Sequence, residues 1–133
     1  MANFKLEIVT PDGQVFAGDV EHVRAPGVEG SFGVLSGHTP FLTPLDTGKI
    51  EIRQEGKDKI YATSGGIADV FSGGMMILAE TAELADKIDV ERAKQAEERA
   101  QRRLVEVSQT VDMARARAAL HRAQNRLKIA GLS

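Results

Sequence analysis

The chain has no cysteine and no tryptophan, one tyrosine and only four prolines among its 133 residues. Without cysteine, a disulfide framework and a thiolate-ligated metal centre are both excluded. Aromatic residues make up 5% of the chain, so Val, Ile and Leu must build any core. No apolar run approaches the ~18 to 20 residues that a membrane-spanning helix needs. Met1-Ala2-Asn3-Phe4-Lys5 lacks a basic segment followed by an apolar stretch, so no secretory signal is expected. The length suits one domain, or a small domain with an appendage, and excludes a large multidomain enzyme.

Catalytic signatures are equally scarce. His22, His38 and His121 are scattered, none at metal-ligand spacing from another histidine or a carboxylate partner, so no metal site is expected. Gly27-x-x-Gly30-x-x-Gly33 lacks the dinucleotide spacing and reads as turn and close-packing glycines, and there is no phosphate loop ending in Gly-Lys-Ser/Thr. No serine stands in a recognisable nucleophile setting, which argues against an enzyme.

What the chain does have is a division. Residues 1–87 carry 7 Lys+Arg against 13 Asp+Glu, a balance of −6, and residues 88–133 carry 10 against 6, a balance of +4, with eight arginines among those ten. All four prolines and every glycine except Gly131 precede Asp86. Two segments are expected, 1–85 and 86–133, with different partners.

In the first segment Phe4-Lys5-Leu6-Glu7-Ile8-Val9 alternates apolar with polar, as a strand with one buried face does, and Thr10-Pro11-Asp12-Gly13 supplies a turn. Further short strands are expected at 14–17, 20–25, 32–35, 49–54, 59–63, 68–71 and 75–79, with turns at Glu55-Gly56-Lys57-Asp58, Ser64-Gly65-Gly66 and Ser72-Gly73-Gly74. This pattern describes an antiparallel β-sandwich or flattened barrel. After Ala79 the period changes. Ala, Glu, Lys, Gln and Arg dominate 89–107 and 111–129 without interior Gly or Pro, which predicts two helices, the first capped by Asp89. The brief Ser108-Gln109-Thr110 break makes them an antiparallel hairpin. The fold class is therefore α+β.

Two facing stripes are expected: Ala93, Ala96, Ala100, Leu104 and Val107 on the first helix; Met113, Ala116, Leu120, Ala123, Leu127 and Ala130 on the second. Both are mostly alanine, and a buried methyl is worth roughly 0.8 kcal/mol against ~1.5 to 3 for a Leu or Ile side chain. Such a hairpin is weakly held and leans on a neighbour, or opens and closes. Arg92 and Arg99 share one face of the first helix, and Arg122 and Arg126 share one of the second, each pair bordering its stripe. Four guanidinium groups so placed can cradle a polyphosphate. They equally describe a solvated basic face with intrahelical pairs such as Glu98 with Arg102.

Several motifs recur together and in order: Val9-Thr10-Pro11-Asp12-Gly13; Glu29-Gly30-x-x-Gly33-Val34-Leu35-x-Gly37-His38-Thr39-Pro40; Ser64-Gly65-Gly66-Ile67-x-x-Val70; Leu78-Ala79-Glu80-x-Ala82-Glu83; and Ile88-Asp89-x-x-Arg92-Ala93. Through them the whole chain resembles the epsilon subunits of bacterial F-type ATP synthases. The resemblance implies a non-catalytic rotor component of the central stalk, peripheral at the cytoplasmic face of the cell membrane and touching the membrane only indirectly. Its β-domain would dock on the γ subunit and on the polar loops of the c-ring, coupling proton-driven rotation to ATP synthesis. The 29–44 stretch corresponds to the region facing γ and the ring. Ser31 stands where many relatives carry an acidic residue and Ser36 where proline is common. His38 is either a contact residue or a buried, hydrogen-bonded loop histidine.

The resemblance also implies an inhibitory hairpin, folded down beside the sandwich or extended toward the α and β subunits. Some relatives bind ATP in the folded form through Ile/Leu-Asp-x-x-Arg-Ala, unbroken here. By that resemblance Glu83, Ile88, Asp89 and Ala93 surround adenine and ribose, and Arg92, Arg99, Arg122 and Arg126 meet the phosphates. ATP would be a regulatory ligand, with no cofactor required and no essential magnesium. A nucleic-acid-binding barrel with a basic helical arm is the alternative. It calls for interleaved surface aromatics and a basic barrel, whereas the first segment stands at −6 with Tyr61 and five phenylalanines as the chain's only aromatics. A membrane-surface helix would need large apolar anchors that an alanine stripe lacks.

Overall fold

The computed structural model describes residues 3–105 and 112–131. The chain forms two units, Met1–Leu84 and Ala85–Ser133.

The first unit is a ten-stranded sheet folded on itself: β1 (Phe4–Thr10), β2 (Gly13–Val20), β3 (His22–Gly27), β4 (Gly30–Leu35), β5 (Phe41–Leu45), β6 (Gly48–Gln54), β7 (Lys57–Thr63), β8 (Gly66–Phe71), β9 (Gly74–Ala79) and β10 (Ala82–Leu84). The order across it is β10-β7-β6-β3-β5-β8-β9-β1-β2, with β4 paired to β3. The backbone N–H of Glu21 donates to the Arg53 carbonyl at 2.8 Å, and Gln54 Nε2 donates to the Asp19 carbonyl at 3.0 Å, drawing β2 toward β6 and flattening the barrel shut. All pairs are antiparallel except β1 with β9, which run parallel. The alternating pattern of β1 puts Phe4, Leu6 and Ile8 in the core. One inward row reads Thr43, Ala68, Ile77, Ile8 and Phe16 across five strands, since residues directly opposite share a face.

Two strands were not expected from sequence. The first, β5, contains Pro44, a signal against a strand. Proline fits because β5 pairs with β3 only through Leu45 opposite Gly27, and the free Pro44 carbonyl accepts from the Val28 N–H at 3.2 Å. The second, β10, is three residues long, below the length at which alternation shows. Val20, expected to open the third strand, instead closes β2.

The second unit holds a 3-10 turn (Ala85–Lys87), α1 (Val90–Val105) and α2 (Met113–Ala130), the two helices forming a hairpin. Asp89 caps α1, its Oδ1 accepting the Arg92 N–H at 3.0 Å. Asp112 does the same for α2 through the Arg115 N–H at 3.0 Å. Val107, Val111 and the break at Ser108-Gln109-Thr110 lie outside the described residues. Of the expected stripes, Ala93, Ala100, Ala116 and Ala123 are buried, each pair seven residues apart, two full turns on one face. Ala96, Leu104, Leu120, Leu127 and Ala130 are half-buried, and Met113 is exposed. Ile129 is buried but was not expected. It lies about 140° round the helix from Ala116, off the seam, so the three-and-four spacing misses it.

Candidate functional site

On the sandwich, the β5-β8-β9-β1 pairing that makes the inward row also makes an outward one: Pro44, Ile67, Leu78 and Val9 stand directly opposite one another on four neighbouring strands. Beside it runs Leu42, Asp69, Met76 and Glu7. Leu42 is 68% exposed, Leu78 48% and Ile67 43%. Strands lie ~4.8 Å apart, so the apolar row is about 14 Å wide. A solvated antiparallel face is ordinarily polar, and a contiguous apolar patch marks an interaction surface. The signal lies in the sequence: Met75-Met76-Ile77-Leu78-Ala79 is apolar at every position, the mark of a strand covered on both faces. Candidate residues chosen by charge alone miss it.

At the end of this face, the 36–40 loop is pinned by His38. Its Nδ1 lies 2.6 Å from the Leu35 carbonyl oxygen and its Nε2 2.8 Å from that of Phe71, while the ring meets Phe4 edge-on with centroids 5.2 Å apart. The ring makes the hydrogen bonds of the second expected alternative but is half-buried and not buried. Ser31 is exposed on β4, where its hydroxyl accepts from Arg24 Nη1 at 3.4 Å. Tyr61 is buried in the core, and that loss of solvent raises its phenol above its ordinary ionisation range.

In the helical unit, Ile88, Asp89, Arg92 and Ala93 share the entry and first turn of α1. Ile88 and Ala93 are buried, and Arg92 is exposed. Arg99 repeats the position of Arg92 two turns on, ~10 Å along the axis. Arg122, exposed, directly precedes buried Ala123, and Arg126, half-buried, follows it by three. Because the helices form a hairpin, the start of α1 and the end of α2 lie at the same end of the unit. Among the described residues, no ion pair or side-chain hydrogen bond engages the guanidinium of Arg92, Arg99 or Arg122, and no Glu98–Arg102 pair forms. Arg92, Arg99 and Arg122 thus carry positive charge beside a methyl-lined seam that no carboxylate among the described residues neutralises. Glu83 belongs to the other unit, half-buried on β10 opposite Ala62 of β7. Among the described residues no cluster of His, Asp or Glu is arranged to hold a metal ion.

Two family models account for nearly the whole chain: the β-sandwich domain of the ATP synthase delta/epsilon chain matches residues 3–85, and the long α-helix domain of the same chain matches residues 86–131. The chain belongs to the ATP synthase delta/epsilon chain family. The junction of the two models falls within a residue of the division between the structural units. Among curated relatives, this family member is 45% identical over 103 residues to the ATP synthase epsilon chain of Anaeromyxobacter sp. (strain K), covering 77% of this chain and 78% of that one. It is 46% identical over 107 residues to the epsilon chain of Brevibacillus brevis, covering 80% and 81%. Among solved structures it resembles a chain of the Euglena gracilis mitochondrial ATP synthase (OSCP/F1/c-ring) with a TM-score of 0.84 at 27% identity, over 100% of this chain and 83% of that one. A chain of the Tetrahymena thermophila mitochondrial ATP synthase central stalk and c-ring shares the fold, with a TM-score of 0.63 at 14% identity over 95% of each chain.

Proposed function

We propose that the chain works as the epsilon subunit of the central stalk of an ATP synthase, a non-catalytic part that docks through its sandwich on the γ subunit and the polar loops of the c-ring. The observation that carries this is the outward apolar row of Pro44, Ile67, Leu78 and Val9, flanked by Leu42. Covering such a row removes from water side chains worth on the order of 1 kcal/mol or more each when fully buried, enough to hold a permanent rotor contact. Peripheral attachment agrees with the absence, among the described residues, of a helix long and apolar enough to cross a membrane. The −6 balance of residues 1–87 disfavours the nucleic-acid alternative. Copurification of γ with the unmodified chain and with Leu42→Asp/Ile67→Asp tests the docking face. Retention of γ by the double variant at wild-type level would overturn it.

The helical unit is the regulatory part of the proposal. Its hairpin inhibits ATP hydrolysis when extended toward the α and β subunits, and ATP holds it folded down, with Arg92, Arg99, Arg122 and Arg126 on the phosphates and Glu83, Ile88, Asp89 and Ala93 around the nucleoside. The support is the guanidinium groups of Arg92, Arg99 and Arg122, unneutralised among the described residues, beside a weak seam. A ligand that binds only the closed form stabilises it by RT ln(1 + [ATP]/Kd), about 1.4 kcal/mol at ten times Kd. Calorimetry with ATP, on the unmodified chain and on Arg122→Ala/Arg126→Ala, tests this. Absence of binding heat at millimolar ATP in the unmodified chain rejects the sensor and leaves the stalk role standing.

A further inference from the structure

We propose that His38 is a proton-dependent clasp: doubly protonated, it donates to two backbone carbonyls at once and locks the 36–40 loop to the end of β8, and loss of one proton releases one of the two ties. Both partners of the ring, the Leu35 and Phe71 carbonyl oxygens at 2.6 and 2.8 Å, can only accept. A neutral imidazole carries one N–H, so at these distances its other nitrogen would point a lone pair at a carbonyl oxygen. Only the imidazolium satisfies both.

The two ties do different work. The bond to Leu35 closes the loop on itself across Gly37, which stands at φ +81°. The bond to Phe71 spans 33 residues and fastens the loop to the β8–β9 turn. Phe4 covers the ring edge-on. The charged residues on the elements packed against the ring are Lys5 and Glu7 on β1 and Asp69 on β8. The 36–40 loop and β4 carry none. Among the described residues none of these forms an ion pair with His38, so the two carbonyls are its specific partners.

The position gives the clasp a consequence. The loop leads directly into Phe41 and Leu42, and Leu42 borders the outward apolar row. Locking the loop fixes how that edge is presented, and releasing it loosens the edge. The device does not depend on the stalk assignment, because it rests on contacts within the sandwich.

Ring-nitrogen NMR on the uniformly 15N-labelled full chain tests it directly, together with amide exchange of residues 37–42, across a pH series that spans the loss of one ring proton. The expected result is two protonated ring nitrogens at the acid end and one at the alkaline end. Exchange, corrected for its intrinsic pH dependence, should speed up in step by about tenfold, the loss expected for one hydrogen bond. In His38→Gln, which cannot change charge, the corrected exchange should be independent of pH. A single ring proton throughout, with loop protection constant, would overturn the proposal, as would an unchanged pH dependence in His38→Gln. The ring measurement needs no variant, so it stands even if the substituted chain does not fold.

Discussion

Replacing Ala123 by glycine removes one of the four buried seam methyls while leaving the charge, the caps and the arginines in place. The four methyls of Ala93, Ala100, Ala116 and Ala123 are together worth about 3 kcal/mol at ~0.8 kcal/mol each. Glycine forfeits one of these and adds a helix penalty of ~1 kcal/mol, so Ala123→Gly should cost the hairpin about 1.8 kcal/mol, more than half of what those four methyls supply. Ala118, exposed on the same helix, provides the matched control. Ala118→Gly pays only the propensity penalty of ~1 kcal/mol. Hydrogen exchange of the α1 and α2 amides should therefore accelerate roughly 20-fold in the seam variant and about fivefold in the control, with the sandwich unchanged in both. Equal acceleration in the two variants would show that alanine packing is not what holds the helices together.

Gly66 sits at φ +146°, and a Cβ there would fall on the Leu78 carbonyl and 2.8 Å from the Ala79 Cα. Gly66→Ala should lower sandwich stability by more than about 3 kcal/mol in urea titration, or prevent folding. Burial raises the Tyr61 phenol above its ordinary value, so the fold holds the neutral form more tightly than the unfolded chain does. That stability is full below pH ~10 and is lost as pH climbs through the raised value. Tyr61→Phe should flatten this alkaline loss in thermal melts. Leu42→Asp/Ile67→Asp should leave the thermal midpoint within a few degrees of the parent, because both side chains face outward, while abolishing γ retention in copurification.

The two-unit organisation, the sandwich and the hairpin were legible because each rests on local pattern: alternation in β1, glycine and proline punctuation, and long runs of helix formers. The strand β5 was hidden because proline argues against a strand unless the neighbouring edge is nearly unpaired, which only the three-dimensional pairing reveals. Register explains the other omissions. No single segment announces that Pro44, Ile67, Leu78 and Val9 line up, since they come from four strands far apart in sequence. The arginines that border the seam were visible from helical spacing, and the absence, among the described residues, of a carboxylate partner for Arg92, Arg99 and Arg122 required the packed helices. Both roles of His38 were open in the sequence, and the distance from its ring to Phe71, 33 residues away, could come only from the fold.

Whether a ligand sets the state of the hairpin is measured most directly by hydrogen exchange of the full chain with and without millimolar ATP. Slower exchange in α1 and α2 with ATP present, against an unchanged sandwich, is the predicted result. If both helices were as protected as the β-strands without ATP, and ATP changed nothing, a weakly seamed hairpin held by its ligand would be contradicted.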